Sequence, residues 1–433
     1  MTKGRALLLA ALAVSVALLV FAITWSPGPP EPAGPDTGLK IIVVGVDGLD
    51  WYVVGELLQQ NAIPNLGGLM QRGRTGEVAA DMPALPSTGW TLLARGRDLT
   101  RQERSRLEEE PGVPLRGRVP ELARVVESAG GKVVTVGWPA TWPADDSAGI
   151  VAAPYSPETL SHPFSLPPAL LGDGAGQSST PALAERVGEA VARNRASCEA
   201  EFRRYIFDGD AADEQWEEQL LAARWAFLSD LVTADVAAST IAEEEPDVAL
   251  VCLNGLDAIG HRFVAPAMPD FFPGMPDEYA RYSDILENYY RFIDHVIERM
   301  RRLTDEQTIF IVCSVYGTHP WFDAPPLSGA HTQGPPGVFV VRGPEISHRS
   351  EPVTLSTLDL VPTALAILGM QIPSDLDGRV MTEILPKGLT QHHPLTFGGN
   401  TEITTVEPTQ QELTDCAALV QERLDFLRSQ MSD

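Results

Sequence analysis

An aspartate and a histidine four residues apart offer the clearest chemistry in this sequence. Asp257 and His261 follow the apolar run Val248–Leu253, which predicts a buried strand, and we place both on a helical turn after it. Residues four apart lie on one face of a helix, so this carboxylate and this imidazole are within reach of one metal ion. Open α/β sheets carry their chemistry at the carboxyl ends of strands. Asp47 follows such a strand, Lys40–Val46, and we expect it nearby.

The order of the predicted elements indicates an α/β domain. Apolar strands alternate with helices from Leu39 onward, and we place the folded domain at residues 39–390. Residues 156–245 read as a mostly helical insertion, because apolar side chains such as Trp216 and Phe227 recur there at helical spacing. A C-terminal extension with one helix, residues 391–433, follows the domain.

Several stretches share the order and composition of the motifs of one known family: Lys40–Asp50, Ile63–Leu66, Pro83–Gly96, Asn254–Phe263, Gly329–Gly334, Leu358–Gly369 and Pro373–Val380. Together they resemble the type I phosphodiesterase/nucleotide pyrophosphatase family of the alkaline phosphatase superfamily, over about Lys40–Leu385. The resemblance implies an alkaline-phosphatase-like α/β fold, with a central, mostly parallel sheet flanked by helices. It also implies hydrolysis of phosphoric esters with two bound metal ions and a Ser or Thr nucleophile.

The resemblance assigns metal ligands to four positions of this chain. By their place in the motifs, Asp257, His261 and His331 would hold one metal ion. Asp47 would bind the other. Three nitrogen and oxygen ligands with an open position suit one Zn²⁺, which is therefore the cofactor that we predict, whereas active family members use two.

The chain departs from the family pattern at the second metal and at the nucleophile. The family's Asp-His pair falls on Val315 and Tyr316; valine has no donor atom, and tyrosine is rare in such sites. The nucleophile position falls on Pro86. Ser87 and Thr88 are adjacent, but a shift of one or two residues moves a side chain by several ångströms, enough to lose in-line attack.

Two classes of function follow from this count of ligands. We favour a degenerate member, weakly active or inactive, that serves as a binding ectodomain for a phosphate ester or another small anionic ligand. The alternative is an active metal-dependent phosphoester hydrolase that uses Ser87 or Thr88, with His319 or Asp323 as replacement ligands. A weaker form of that alternative uses water bound to the single metal instead of a protein nucleophile.

The N-terminus predicts a membrane anchor. Ala6–Trp25 is a run of twenty residues without a charge, long enough as a helix to span the roughly 30 Å hydrocarbon core. Lys3 and Arg5 favour a cytoplasmic stub, residues 1–5, so the domain would face the periplasm or the exterior. The Pro-rich residues 26–38 predict an extended linker. A cleaved signal peptide is the alternative, but the apolar run is long and no small-x-small cleavage site closes it.

Composition limits the kinds of partner. The net charge of the 433 residues is −26, which argues against nucleic acid and against anionic membrane surfaces, so an anionic ligand would need a local cation such as a metal. No protein partner is indicated.

The four cysteines show no CxxC spacing. We interpret Cys252 and Cys313 as buried free thiols at the ends of two strands; a disulfide in an oxidising compartment is the alternative.

Overall fold

The computed structural model describes residues 34–79, 86–103, 105, 121–139, 141–144, 149–155, 166–172, 176–322, 327–331, 335–400 and 409–431. No helix within these ranges is long and apolar enough to cross a membrane. The predicted anchor, Ala6–Trp25, lies outside the described residues, as does most of the predicted linker.

Apolar runs rich in β-branched residues form the strands, as such residues favour the pleated, buried conformation. Within the described ranges these are β1 (Lys40–Val46), β2 (Arg74–Ala79), β3 (Val133–Val136), β4 (Ile150–Ala152), β5 (Val248–Leu253), β6 (Thr308–Cys313), β7 (His319–Pro320), β8 (Gly329–Ala330), β9 (Gly337–Arg342) and β10 (Val353–Ser356). Strands β7 and β8 form a small antiparallel pair, and the other eight form one sheet.

The large sheet is mostly parallel, as the sequence predicted. Its order is β10-β2-β9-β6-β1-β5-β3-β4. Only β9 runs against its neighbours, pairing antiparallel with β2 and with β6. Strand β1 lies in the middle, with every residue after Lys40 buried, which is typical of a strand covered on both faces.

Helices cover both faces of the sheet. Within the described ranges they are α1 (Trp51–Gln59), α2 (Pro64–Arg72), α3 (Pro86–Arg95), α4 (Glu121–Ser128), α5 (Pro181–Tyr205), α6 (Glu214–Glu244), α7 (Gly255–Ala267), α8 (Asp284–Arg301), α9 (Leu360–Ile367), α10 (Leu389–His392) and α11 (Gln410–Met431), with short 3₁₀ turns at Pro269–Phe271, Asp277–Tyr282 and Thr382–Ile384. The two longest, α5 and α6, lie in the region that the sequence predicted to be helical, and α11 lies in the C-terminal extension.

Local side-chain caps fix where several helices begin. Asp50 accepts hydrogen bonds from the backbone N–H groups of Tyr52 (2.7 Å) and Val53 (3.2 Å), so α1 begins directly after it. Asp294 on α8 accepts a bond from the N–H of Leu66 at 2.8 Å and thereby caps α2 from a distant part of the chain.

The cysteines are free and buried, in agreement with the first interpretation from the sequence. Cys252 on β5 and Cys313 on β6 both pair with Gly45 of β1, one on each side. Two strand spacings, about 9.6 Å, therefore separate their Cα atoms, whereas a disulfide needs less than about 7 Å. A bond between these two thiols is excluded by the register of the sheet.

Candidate metal centre

The candidate site lies at the carboxyl edge of three neighbouring strands. Strand β1 lies between β5 and β6 and runs parallel to both, so the loops after all three begin at one edge of the sheet. Asp47 follows β1 directly, Asp257 stands in the first turn of α7 after β5, and Tyr316 lies in the loop after β6. Parallel pairing thus brings together side chains that are far apart in the chain.

Three side chains converge at this edge, as the sequence led us to expect. The ligand atoms of Asp257, His261 and His331 all lie within 4.8 Å of one another. Nε2 of His331 is 2.5 Å from Oδ1 of Asp257, and Nε2 of His261 is 3.4 Å from the same oxygen. Within the described ranges this is the only group of three or more such side chains close enough to hold a metal ion.

Backbone carbonyl groups orient both imidazoles. His261 donates from Nδ1 to the carbonyl oxygen of Gly329 at 2.6 Å, and His331 donates from Nδ1 to that of Gly317 at 3.0 Å. A carbonyl oxygen only accepts, so Nδ1 carries a proton in each ring and Nε2 is the nitrogen available to a metal ion. Both Nε2 atoms face Asp257. Histidines that bind metal ions ordinarily donate their other ring N–H to an oxygen atom in this way.

The electrostatics of the three groups suit a cation. Burial would raise the pKa of Asp257, but the charges of His261 and His331 hold that pKa below its ordinary range. Burial would lower the pKa of His331, whereas the carboxylate of Asp257 raises it to about 9. For His261 burial outweighs the attraction of Asp257, so its pKa is lowered. A divalent cation binds an ionised carboxylate and neutral imidazoles, so it would have to displace the proton that Asp257 holds on Nε2 of His331.

A buried aspartate that the sequence analysis missed holds the start of α7. Asp230, on α6, accepts hydrogen bonds from the N–H groups of Asn254 (3.0 Å) and Gly255 (3.1 Å) and from the hydroxyl of Tyr289 (2.9 Å). Burial raises its pKa to about 7. These bonds satisfy N–H groups at the first turn of the helix that carries Asp257. No motif marks Asp230, because its partners are distant in the chain.

Asp47 lies at the same edge but outside the group of three. It is buried, and its charge contributes to the raised pKa of His331 and of Tyr316. The turn after it packs against α7: Gly48 has φ +79, and a Cβ built there would lie 2.7 Å from the Cα of Asp257. Only glycine allows both that backbone conformation and that close approach.

In the part of the chain that the structure describes, the second half of the site holds no ligand pair. Val315 and Tyr316 are both buried at the positions where the family has Asp and His. The oxygen of Tyr316 accepts a hydrogen bond from the N–H of Gly89, and its ring centroid lies 5.1 Å from that of His331. Burial raises the pKa of Tyr316 well above its ordinary value, so the phenol stays neutral. Counted over the described residues alone, the donor set therefore fits one metal ion at the group of three and offers no set of ligands for a second one beside Asp47.

The two candidate nucleophiles lie in the first turn of α3, which begins at Pro86. Thr88 is buried, and its hydroxyl makes no hydrogen bond to any described residue. Ser87 belongs to the same turn, but its side chain lies outside what the structure describes. The assignment of either hydroxyl as a nucleophile stays a prediction.

Of the two proposed replacement ligands, His319 is described by the structure and is not part of the group of three. His319 lies in β7, where its ring centroid is 6.0 Å from that of Trp321 and its charge acts on Asp50. Asp323 lies outside the described residues. Among the described side chains, nothing supplies the ligands that Val315 and Tyr316 lack.

The structure is similar to several solved proteins, one of which shares its fold. The wild-type alkaline phosphatase PafA is 10% identical and superimposes with a TM-score of 0.52, covering 80% of this chain and 99% of that one. Murine ectonucleotide pyrophosphatase/phosphodiesterase 5 is 11% identical (80% and 99% covered, TM-score 0.42), and the phosphonate monoester hydrolase SpPMH from Silicibacter pomeroyi is 16% identical (80% and 76% covered, TM-score 0.42). At such low identity the PafA match shows the fold alone. A search of curated proteins finds no significant match.

The sequence itself matches a family model. The model described as type I phosphodiesterase / nucleotide pyrophosphatase matches residues 110–330, half of the chain, and this segment includes Asp257 and His261. The family is metal-dependent, in keeping with the donor set described above. This chain therefore belongs to the type I phosphodiesterase/nucleotide pyrophosphatase family.

Proposed function

We propose that this chain is a membrane-anchored, single-metal member of its family that binds a phosphate ester or another small anionic ligand and hydrolyses it slowly or not at all. The metal, which we propose to be Zn²⁺, would be held by Asp257, His261 and His331. The observation that carries the proposal is the buried phenol of Tyr316, which stands where a ligand of the second metal belongs.

An anionic ligand requires a local positive charge in this acidic chain. The protein has a net charge of −26, and of the two aspartates at the site Asp47 is buried and Asp257 is partly buried. A divalent cation in the group of three would supply a cationic centre with an open coordination position. The two oriented imidazoles and the ionised Asp257 would hold it there, so ligand binding depends on these three side chains.

Slow turnover follows from what the second half of the site lacks. Phosphoryl transfer needs positive groups that stabilise the charge developing on the attacking and leaving oxygens. Val315 has no ligand atom, and the phenol of Tyr316 is neutral. The charge on the attacking and leaving oxygens is therefore stabilised less than it would be by two cations. Nothing in the described site lowers the pKa of a Ser or Thr hydroxyl.

A second candidate function is an active phosphoester hydrolase. The buried hydroxyl of Thr88, without a hydrogen-bond partner among the described residues, favours it, since a nucleophile must be free to react. Thr88 is one residue before Gly89, whose N–H contacts the phenol of Tyr316, so its backbone lies at the edge of the site. Ser87 is the other candidate. Hydrolysis by water at the single metal, without a protein nucleophile, is a third route.

Zinc content and turnover of an aryl phosphodiester, measured on the same full chain, separate these functions. We expect about one zinc ion per chain and little or no turnover, from the count of three ligands. Robust turnover that Ser87→Ala or Thr88→Ala abolishes would refute the degenerate interpretation. Turnover that survives both changes but disappears in His261→Ala would support hydrolysis at the metal alone. A chain that binds no zinc would refute the metal centre itself.

The anchor is a separate part of the proposal. The charge-free run Ala6–Trp25, preceded by Lys3 and Arg5, supports a single span with a cytoplasmic N-terminus and a periplasmic or extracellular domain. We expect the full chain to remain in the membrane fraction after extraction with alkaline carbonate. Mass spectrometry should find the mature N-terminus ahead of Ala6. A mature N-terminus beyond Trp25 would show a cleaved signal peptide instead.

A further inference from the structure

A pocket of about 430 Å³ lies along the C-terminal half of α7. Of the described residues that line it, five are aromatic: Trp216, Phe272, Tyr279, Trp321 and Phe322. The rings of Trp216 and Tyr279 are in edge contact, with centroids 4.9 Å apart, and those of Phe272 and Phe322 are also 4.9 Å apart. We call this feature the aromatic pocket, and its volume is within the range of small-molecule sites.

The aromatic pocket begins one turn of α7 beyond a proposed metal ligand. Ala265 lines it, four residues after His261, which is itself four residues after Asp257. Residues four apart share one face of a helix, so these three side chains form one row. At 1.5 Å per residue, Ala265 lies about 6 Å along the helix from His261.

Ser328 joins the wall of the pocket to the same turn of α7. Pro266 has no N–H group, so the carbonyl oxygen of Arg262 lacks its usual donor within the helix. The hydroxyl of Ser328 donates to that oxygen at 3.2 Å and accepts a bond from the N–H of Ala265 at 3.0 Å. Its own N–H donates to the carbonyl oxygen of His261 at 2.7 Å. Because Ser328 also lines the pocket, one hydrogen bond joins the pocket wall to a proposed ligand residue.

The metal centre and the aromatic pocket are both accessible from solvent. The side chains of Asp257 and His261 are 16% and 19% exposed, and Phe322 at the pocket is 59% exposed. His331 follows Ser328 by three residues, so the second segment that supplies a ligand also leads to the pocket. A ligand held at the metal by an anionic group could therefore reach the pocket with the rest of its structure.

The wall of the pocket suits a flat apolar group. Aromatic rings attract one another in edge and offset contacts beyond the effect of buried area. Three polar side chains without a ring line the pocket: Gln215 is exposed, Arg262 donates to the carbonyl oxygen of Ala258 at 3.0 Å, and the hydroxyl of Ser328 already makes two bonds within the chain. The polar edges of a nucleobase or a sugar would find few partners there, which costs binding energy.

We propose that the aromatic pocket binds the apolar aryl group of a phosphate ester whose phosphoryl oxygens bind the metal ion held by Asp257, His261 and His331. This inference rests on the proposed function and names the class of ligand that the same site selects. The metal ion would bind any small oxyanion, whereas the pocket distinguishes esters by the group that the phosphate carries.

A series of phosphonates with one anionic group tests the pocket on the zinc-loaded full chain, with isothermal titration calorimetry as the measurement. Methylphosphonate, benzylphosphonate and 2-naphthylmethylphosphonate carry a P–C bond in place of the ester bond, so binding is measured without turnover. We expect affinity to rise about 10–100-fold from the methyl to the naphthylmethyl compound, the effect of removing about 60–110 Å² of apolar area from water. Octylphosphonate and AMP should bind more weakly than the naphthylmethyl compound, because a flexible chain loses conformational freedom and a nucleotide has unpaired polar groups.

Phe322→Ala removes one wall of the pocket. Its side chain is exposed, so truncation leaves the core intact. We expect the affinity for 2-naphthylmethylphosphonate to fall about 3–10-fold, and the affinity for methylphosphonate to stay unchanged, because only the larger ligand reaches the ring. Phe397→Ala is the matched control, since Phe397 is 61% exposed and does not line the pocket. It should leave both affinities unchanged.

The outcomes separate this inference from the proposed function. Equal binding of the three phosphonates, with one zinc ion per chain, would overturn the inference and leave the single-metal function intact. Tighter binding of octylphosphonate or AMP than of the naphthylmethyl compound would overturn the choice of an aryl group. Equal losses in Phe322→Ala and Phe397→Ala would overturn the role of the pocket. A chain that binds no zinc, or a zinc-loaded chain that binds none of the phosphonates, would overturn the proposed function and the inference together.

Discussion

Removing the side chain of Asp230 should destabilise the protein and weaken its metal centre at the same time. In Asp230→Ala the N–H groups of Asn254 and Gly255 and the hydroxyl of Tyr289 lose their common acceptor. Each buried donor left without a partner costs about 1–3 kcal/mol. Release of the buried carboxyl, whose pKa burial raises to about 7, offsets part of this cost. We therefore expect a net loss of about 2–5 kcal/mol in the free energy of unfolding.

The metal centre should respond because Asp230 holds the first turn of α7, which carries Asp257. Outer-shell partners of metal ligands typically contribute about 10–100-fold to affinity, and we expect a loss of that size for zinc. Urea denaturation followed by circular dichroism gives the stability, and competition with a chelating dye gives the zinc affinity. Both should be measured on the full chain, since the stability loss alone would not show that the ligands have moved.

Glu244→Ala is the matched control on the same helix. Its carboxylate contacts Lys132 at 3.3 Å on the surface, where such pairs contribute less than about 1 kcal/mol. We expect this variant to retain the zinc affinity and nearly all the stability of the wild type. An Asp230→Ala protein within 1 kcal/mol of the wild type, with wild-type zinc affinity, would refute the role assigned to Asp230.

Three further changes test other features of the site. The pKa of Asp230 is raised from 3.8 to about 7, so the folded protein holds this proton more tightly than the unfolded chain does. The unfolding free energy of the wild type, relative to Asp230→Asn, should therefore fall by about 3 kcal/mol from pH 4 to pH 7, and urea melts at stepped pH measure that slope. His331→Ala should lower zinc affinity at least about tenfold, read as metal content after dialysis; full zinc content would exclude His331 as a ligand. Gly89→Ala places a Cβ 2.5 Å from the oxygen of Tyr316 and should cost about 1–3 kcal/mol in a urea melt, and an unchanged midpoint would show that the phenol can move aside.

The convergence of Asp257, His261 and His331 could be predicted from the sequence. The first two follow a strand at helical spacing and lie within the residues that the family model matches, and the third was placed by a motif that resembles the last metal-binding histidine of the family. The α/β fold with a mostly parallel sheet was predicted correctly for a similar reason, since apolar runs alternate with helical patterns. The anchor and the roles of the ligands stay predictions.

The part that could not be predicted depends on contacts between distant residues. The sequence shows that Tyr316 replaces a histidine, but only the structure shows that Gly89 leaves room for its ring. Asp230 stands within a long helix whose other residues around it are buried, and its partners begin more than twenty positions later. Likewise, the separation of Cys252 from Cys313 follows from strand order, which no local pattern encodes.

The central place of β1 has a consequence for biosynthesis. Its two neighbours, β5 and β6, begin at Val248 and Thr308, so β1 is synthesised about two hundred residues before its first partner. At a synthesis rate of about 5–20 residues per second, β1 remains without its first partner strand for about 10–40 s. During that time its apolar residues have both edges unpaired, which is the condition in which strands pair with other chains. We expect nascent chains to need chaperone protection over Lys40–Val46, and chains truncated before Val248 to aggregate rather than fold.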